Sequence, residues 1–195
     1  MDHIILDTEI RERIEDTPGG FDATDKLGLA VACVWEEQAQ RMRVYGEEDI
    51  VALRERIVAA DMITTFNGER FDFPLIWQVS KAEWQSDKCA SHRAILHAKS
   101  NDLLVRIWMA LGLDPDVYVV QTHGGWSLDV VARATLGRGK IGNGVQAPRD
   151  FQAGHWARVT NYCQDDVMLT WELGKFIDWY GYVIGKNDRV VRIPA

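Results

Sequence analysis

Apolar residues occur in short runs separated by charged or turn residues, a pattern that predicts alternating strands and helices. The predicted strands cover residues 3–10, 27–35, 41–45, 61–66 and 190–193. Three strands close together near the start favour antiparallel pairing, and a strand that follows the first long helix favours a parallel crossover. We therefore predict an α/β fold with a mixed β-sheet flanked by helices, in a single domain covering residues 1–195.

Apolar positions with a helical period predict helices between these strands. The first begins with three acidic residues, which are favourable at the positive end of a helix dipole. Ser100 or Asn101 is expected to cap a later helix, and Ser127 the one after it. The predicted helices begin near Glu47, Phe71, Asn101, Leu128 and Trp156.

Composition narrows the protein class. The chain has 195 residues, 47% hydrophobic and 26% charged, as an ordinary globular domain does. It contains no apolar run of about 20 residues and no secretion signal, so we expect no membrane partner and a cytoplasmic location. Three widely spaced cysteines, Cys33, Cys89 and Cys163, favour reduced thiols in an intracellular compartment.

The formal net charge of −7 argues against a protein that coats nucleic acid through non-specific electrostatics. It is compatible with an enzyme that binds a few nucleotides at a local site filled with cations. Acidic residues that converge in the fold are therefore the candidates for such a site.

Asp7-Thr8-Glu9 ends the first predicted strand. Residues i and i+2 of a strand face the same side, so both carboxylates point from one face of the sheet. Two acids at the end of an apolar strand are costly unless a cation lies between them, and Mg²⁺ or Mn²⁺ prefers oxygen ligands. For this tripeptide alone, the favoured interpretation is a pair of solvated acids.

The segment from Thr65 to Pro74 reads TFNGERFDFP. It predicts a strand, a glycine turn and a helix opened by Asp72, with Pro74 tolerated in the first turn. Asp72 is either a simple N-cap or a carboxylate directed at the sheet end from which Asp7 emerges. Phe71 is either a core residue or an aromatic surface for a base.

Near the other end of the chain, Tyr162 and Asp166 are four positions apart, so they are neighbours on one helical face. Leu169 and Leu173 continue this face as an apolar stripe, which directs Asp166 toward the sheet. The alternative is an acid that only complements the helix dipole. A tyrosine and an aspartate at this spacing are weak support alone.

Together, the DxE strand, the NGxxFDxP turn and the YxxxD helix resemble the DEDD superfamily of 3′–5′ exonucleases. The similarity is to its tyrosine branch, which includes the proofreading domains of family B DNA polymerases and small stand-alone relatives. The histidine branch would carry its histidine at Asn161, although a role for His155 remains open. The resemblance implies a ribonuclease H-like fold.

The resemblance also implies a hydrolase that uses two divalent cations, Mg²⁺ or Mn²⁺. Asp7, Glu9 and Asp166 would hold one cation, and Asp7 would bridge to a second that Asp72 reaches directly or through water. Tyr162 would orient the attacking water, because a phenol with a pKa of about 10 is a poor base at neutral pH. The implied catalytic residues are Asp7, Glu9, Asp72, Tyr162 and Asp166.

The implied partner is the 3′ end of a nucleic acid. Thr8, Asn67 and Phe71 would contact the terminal nucleotide, and single-stranded DNA is the expected substrate. An exoribonuclease is the alternative within the same class. From another class, the alternative is a catalytically idle ribonuclease H-like module that binds nucleic acid or protein.

The glycine-rich segment from Gly137 to Gly144 lacks the spacing of an ATP-binding phosphate loop. We interpret its Lys140, together with Arg138 and Arg149, as solvated residues, with steering of a substrate backbone as the alternative. Trp126 precedes the Ser127 cap at the spacing of a hydrophobic staple with Val131, which favours packing over ligand binding.

Overall fold

The computed structural model describes residues 1–194, and a five-stranded sheet forms its centre. The sheet has the order β3-β2-β1-β4-β5, and a separate hairpin is formed by β6 and β7. The strands are β1 His3–Ile10, β2 Leu29–Glu36, β3 Arg41–Tyr45, β4 Met62–Thr65, β5 Ser100–Asp102, β6 Tyr182–Ile184 and β7 Val190–Arg192.

Helices cover both faces of the large sheet. The α-helices are α1 Thr24–Leu27, α2 Ile50–Ala59, α3 Asp72–Trp77, α4 Lys81–Gln85, α5 Ala90–His97, α6 Leu103–Ala110, α7 Val120–His123, α8 Leu128–Leu136, α9 Ala147–Gln152 and α10 Trp156–Tyr180. Short 3₁₀ turns occupy Ile14–Asp16, Gly20–Asp22, Glu47–Asp49, Asp87–Cys89 and Lys186–Asp188.

Strand directions in the large sheet are mixed. β1 pairs antiparallel with β2 and β2 antiparallel with β3, whereas β4 runs parallel to both β1 and β5. The predicted α/β fold with a mixed sheet and flanking helices is therefore confirmed.

The central strand β1 is buried on both faces. Ile4 and Leu6 belong to a core shared with α2 and α3, whereas Ile5 packs against Tyr162 and Val167 of α10. Side chains of a strand alternate between faces, so odd-numbered residues of β1 face α10 and even-numbered residues face α3. This alternation decides where Asp7, Thr8 and Glu9 point.

Several predicted boundaries need correction. β2 begins at Leu29, because Leu27 ends α1 and Gly28 takes a positive φ of 63° between the two elements. The residues from Glu47 to Asp49 form a 3₁₀ turn ahead of α2, and Val58, predicted on its apolar face, is exposed. The predicted cap of α6 is also wrong, since Asp102 caps it while Ser100 and Asn101 belong to β5.

Candidate metal centre and cleft

Three acidic side chains meet at the end of β1. Asp7 and Glu9 project from the face covered by α10, and Asp166 projects from α10 toward them. Carboxylate oxygens of these three residues all lie within 4.8 Å of one another. The structure thus brings together residues separated by about 160 positions in the chain.

The helix is fixed to the strand beside this cluster. Cys163 Sγ donates a hydrogen bond to the backbone oxygen of Asp7 at 3.4 Å, and Cys163, like Asp166, has no exposed surface. Because Cys163 and Asp166 are three residues apart, they lie on the same side of α10. This buried contact holds the Asp166 carboxylate against the strand end.

Asp72 approaches the same strand end from the opposite layer. It is the first residue of α3, whose N-cap is Phe71, and the Asp72 Oδ1 atom accepts a hydrogen bond of 2.5 Å from Thr8 Oγ1. Asp72 is therefore not the simple N-cap of the alternative interpretation. Thr8, on the α3 face of β1, orients the fourth carboxylate.

The electrostatics of the cluster are unfavourable. Burial raises the pKa of Asp7 well above its ordinary value, and the charges of Asp166, Asp72 and Glu9 raise it further. Burial also raises the pKa of Glu9 and of Asp166. For Asp72, burial outweighs the hydrogen bond from Thr8 and raises the pKa to about 7.

Two oxygens of the cluster lack the partners that buried carboxylates normally have. Asp7 Oδ2 and Asp166 Oδ1 are buried and accept no hydrogen bond within the described part of the chain. An unpaired buried carboxylate oxygen is costly, and the cost disappears when a cation binds it. This hard oxygen donor set fits Mg²⁺ or Mn²⁺.

Lys140 is the residue of the site that the sequence interpretation missed. Its loop favours a solvated residue, with steering of a substrate backbone as the alternative, but its ammonium forms an ion pair with Asp166 and donates a hydrogen bond of 3.1 Å to the Tyr162 hydroxyl. Burial lowers the pKa of Lys140, but the charges of Asp166 and Asp7 outweigh this effect and raise it. Lys140 is therefore a charged ammonium that partly neutralises the cluster.

Tyr162 is held between α10 and the glycine-rich loop. Gly142 lies so close to the ring that an added Cβ would be 2.7 Å from Tyr162 Cδ2. Burial raises the pKa of the phenol above its ordinary value, although Lys140 opposes this shift. Tyr162 is consequently protonated at neutral pH.

A cleft of about 550 Å³ opens above these groups. Phe71 and Phe21 stack at its wall with ring centroids 4.5 Å apart and an interplanar angle of 17°. Phe21 is 43% exposed, so the aromatic pair is open to a ligand. The residues that line the cleft include Asp7, Thr8, Glu9, Phe21, Asn67, Phe71, Asp72, Lys140, Tyr162 and Asp166.

Other candidate residues lie elsewhere. His155 sits at the N-terminus of α10, where its Nδ1 is 3.1 Å from Asp150 Oδ1. Arg138 binds Glu172 and Asp165, and Arg149 pairs with Glu15. Trp126 is 6% exposed and packs in the core with Val131, as its spacing predicted.

No protein-family model and no curated protein sequence match this chain. Among solved structures, the chain is similar to the family B DNA polymerase from the hyperthermophilic archaeon Pyrobaculum calidifontis. The TM-score is 0.60 at 16% identity, over 90% of this chain and 24% of the polymerase chain. The chain thus spans about a quarter of that polymerase.

The likeness to the polymerase shows a shared fold, and the mixed five-stranded sheet with its flanking helices is consistent with a ribonuclease H-like fold.

Within residues 1–194, none of the helices combines the length and apolar character needed to cross a membrane. The three cysteines are free and buried.

Proposed function

We propose that this chain is a metal-dependent 3′–5′ exonuclease of the tyrosine branch of the DEDD superfamily, acting on single-stranded DNA. The observation that carries the proposal is the group of three converging carboxylates, two of them with an unpaired buried oxygen, that line an open cleft. A domain that only binds a partner gains nothing from acids that repel one another. The likeness to a DNA polymerase supports a role in nucleic-acid chemistry.

In this proposal, Asp7, Glu9 and Asp166 would hold one divalent cation, and Asp7 and Asp72 would hold a second. When bound, such cations would supply a lowered pKa for water and a stabilising charge for the attacking and leaving oxygens at phosphorus. Thr8 keeps the Asp72 carboxylate directed at the strand end through its 2.5 Å hydrogen bond. The strand and two helices thus fix the ligands before any cation binds, which favours catalysis by preorganisation.

Tyr162 has a positioning role in this proposal. Its raised pKa keeps the phenol protonated, so its hydroxyl orients water or phosphate by hydrogen bonding rather than by removing a proton. We expect Tyr162→Phe to lower kcat by about 10-fold, less than the loss expected for a missing metal ligand. If Tyr162→Phe is as inactive as Asp166→Asn at saturating Mn²⁺, the positioning role is wrong.

The cleft wall supplies groups suited to a nucleotide. The carboxamide of Asn67 hydrogen-bonds near the 3′ terminus, and Phe71, backed by Phe21, stacks on a base. The Thr8 hydroxyl donates its hydrogen to Asp72, so only the lone pairs of Oγ1 are left for a contact with substrate. Aromatic platforms of this kind are typical of sites that bind unpaired bases, which favours a single-stranded end over a duplex.

The decisive experiment is digestion of 5′-labelled single-stranded DNA and RNA of identical sequence with Mn²⁺. A ladder of 3′-shortened DNA products that Asp7→Asn abolishes is the expected result. A ladder from RNA alone would replace DNA by RNA as the substrate. Loss of the whole label in one step would indicate 5′ attack and contradict the polarity.

Thermal melting separates the enzyme from an idle module. Mn²⁺ bound to the folded state raises the melting temperature by mass action, and this increase should vanish in Asp7→Asn. If neither substrate is cut and Mn²⁺ leaves the melting temperature unchanged, the chain is an idle module and the proposal is wrong.

A further inference from the structure

Asp102 is a buried acid outside the carboxylate cluster that makes an unusual number of backbone contacts. It ends β5, is 3% exposed, and lies opposite Thr65 in the parallel pairing of β4 with β5. Its carboxylate accepts hydrogen bonds from four backbone N–H groups: Asn67 at 2.9 Å, Glu69 at 3.1 Å, Leu104 at 3.0 Å and Val105 at 3.3 Å.

These four hydrogen bonds serve two structural purposes. The bonds from Leu104 and Val105 cap α6, a task for which one side-chain oxygen suffices and which serine performs nearly as well as aspartate. The bonds from Asn67 and Glu69 fix the turn after β4. Oδ1 serves both tasks, but Oδ2 binds the N–H of Glu69. Capping alone therefore does not account for a carboxylate at this position.

The turn held by Asp102 has little freedom. Asn67 has a positive φ of 73°, a conformation that non-glycine residues rarely adopt. At the next position, a Cβ added to Gly68 would lie 2.5 Å from the Thr65 side chain. A strained backbone of this kind persists only where its surroundings fix it, and such positions concentrate at functional sites.

The turn carries one side chain into the cleft directly. Asn67 lines the cleft, while the carboxylate of Asp72, five residues later, has a hydrogen bond of its own from Thr8. Loss of the Asp102 contacts would therefore displace Asn67 more than it displaces the carboxylate of Asp72. This difference predicts an effect on nucleotide binding that is separable from metal binding.

We infer that Asp102 is a positioning residue for the 3′-terminal nucleotide, because it fixes the turn that presents the Asn67 carboxamide to the cleft. The inference rests on the proposed exonuclease function and deepens it. It adds a group that touches neither substrate nor metal.

The central test variant is Asp102→Ser, which keeps a capping oxygen for α6 and loses the carboxylate that holds the turn. With single-stranded DNA and saturating Mn²⁺, we expect KM to rise by about 10-fold, as for loss of other supporting contacts, with kcat less affected. The Mn²⁺ concentration for half-maximal activity should stay within about twofold of wild type, since Thr8 still orients Asp72. Asp102→Asn, which retains one oxygen for the turn, should rescue part of the loss.

A double-mutant cycle with Asn67→Gly tests the route of the effect. Glycine accepts the positive φ at position 67 and removes only the carboxamide. If Asp102 acts through Asn67, the double variant Asn67→Gly/Asp102→Ser should have nearly the KM of Asn67→Gly alone. If the KM increase of the double variant is instead the product of the two single increases, the residues act independently and the inference is wrong.

Folding is monitored separately. Asp102→Ala, which loses the cap as well, should melt at a lower temperature than Asp102→Ser. If Asp102→Ser keeps the wild-type KM while Asp102→Ala melts at a lower temperature, Asp102 is only a structural cap and the inference fails. Inactivity of the wild-type chain on every substrate would instead refute the proposed function, so the two failures are distinguishable.

Discussion

Two groups of acids lie at opposite ends of the β1–β2 hairpin. In one group the protein's own cations balance the negative charge, and in the other they balance it only in part. Glu36, at the end of β2 opposite Ile4, binds the guanidinium groups of Arg41, Arg43 and Arg56. At the other end, Asp7 and Glu9 face Asp166 with Lys140 as the cation beside them. Both groups are buried, so burial alone does not explain the difference.

The pKa values of the two groups reflect this difference. Burial raises the pKa of Glu36, but hydrogen bonds from the three arginines outweigh it and lower the pKa to about 2. Glu37, which binds His3, Trp171 and Lys175, likewise has a pKa of about 2, because these contacts outweigh burial. In the cleft the corresponding pKa values are raised. The chain supplies its own cations where acids stabilise the fold and leaves oxygens unpaired where external cations are expected to act.

The largest expected contrast is in activity. Asp7→Asn removes a proposed metal ligand and should reduce nuclease activity by at least about 100-fold. Glu36→Gln is the matched control at the other end of the hairpin and should leave kcat within about twofold of wild type. Both rates are measured on single-stranded DNA with Mn²⁺. Equal losses in the two variants would show that the hairpin ends are not functionally distinct.

The next contrast is in stability without metal. Glu36→Gln leaves the partly buried Arg56 without its full partner and should lower the free energy of unfolding by about 3 kcal/mol. Asp7→Asn should raise it by about 1 kcal/mol, the repulsion of unit charges about 4 Å apart in water. Urea unfolding in EDTA measures both free energies. A loss of stability in Asp7→Asn would show that the carboxylates of the cluster do not repel one another in the folded state.

The pH dependence should differ in sign between the groups. The pKa values of Glu36 and Glu37 are lowered from 4.5 to about 2, so their stabilisation is present above pH 4.5 and is lost as pH falls toward 2. The pKa of Asp72 is raised from 3.8 to about 7 and that of Asp102 to about 6, mainly by burial. Their stabilisation is present below pH 3.8 and is lost as pH rises toward 7.

In EDTA, the melting temperature should therefore fall between pH 5 and pH 7, on the order of 5 °C, and Mn²⁺ should reverse this fall. Asp72→Asn should reduce this fall in melting temperature between pH 5 and pH 7 in EDTA. A melting temperature that rises from pH 5 to pH 7 in EDTA would show that the cluster is not strained.

The smallest expected effect concerns the exposed partners of Glu36. Arg43 is 43% exposed, and an ion pair of this kind contributes little because solvent screens it. Arg43→Ala should therefore lower the free energy of unfolding by less than about 1 kcal/mol. A larger loss, measured by the same urea titration, would indicate that the arginines act as one network rather than as separable pairs.

Regular alternation and turn chemistry made much of the fold predictable from sequence. β1 and β3 have the predicted bounds, and α8 begins after Ser127 and ends before Gly137 as its capping residues indicated. β5 escaped prediction because three polar residues carry no strand pattern, and only the parallel pairing with β4 orders them.

The acids of the cluster were predictable because strand and helix periods determine where their side chains point. Lys140 was not, since its loop has no period and its long side chain reaches the site through a fold that local sequence does not encode. Asp102 was missed for another reason. Ser100, Asn101 and Asp102 are all good capping residues, and only the tertiary structure selects the third.

The contact of Gly142 with the Tyr162 ring limits residue size rather than charge. The gap between loop and helix accommodates a hydrogen atom and nothing larger, since a methyl group would overlap the ring. Any side chain at position 142 must therefore lift the loop that carries Lys140 or rotate the phenol. An uncharged residue that faces only the ring carbons thus limits the position of a phenol whose hydroxyl lies 3.1 Å from the Lys140 ammonium.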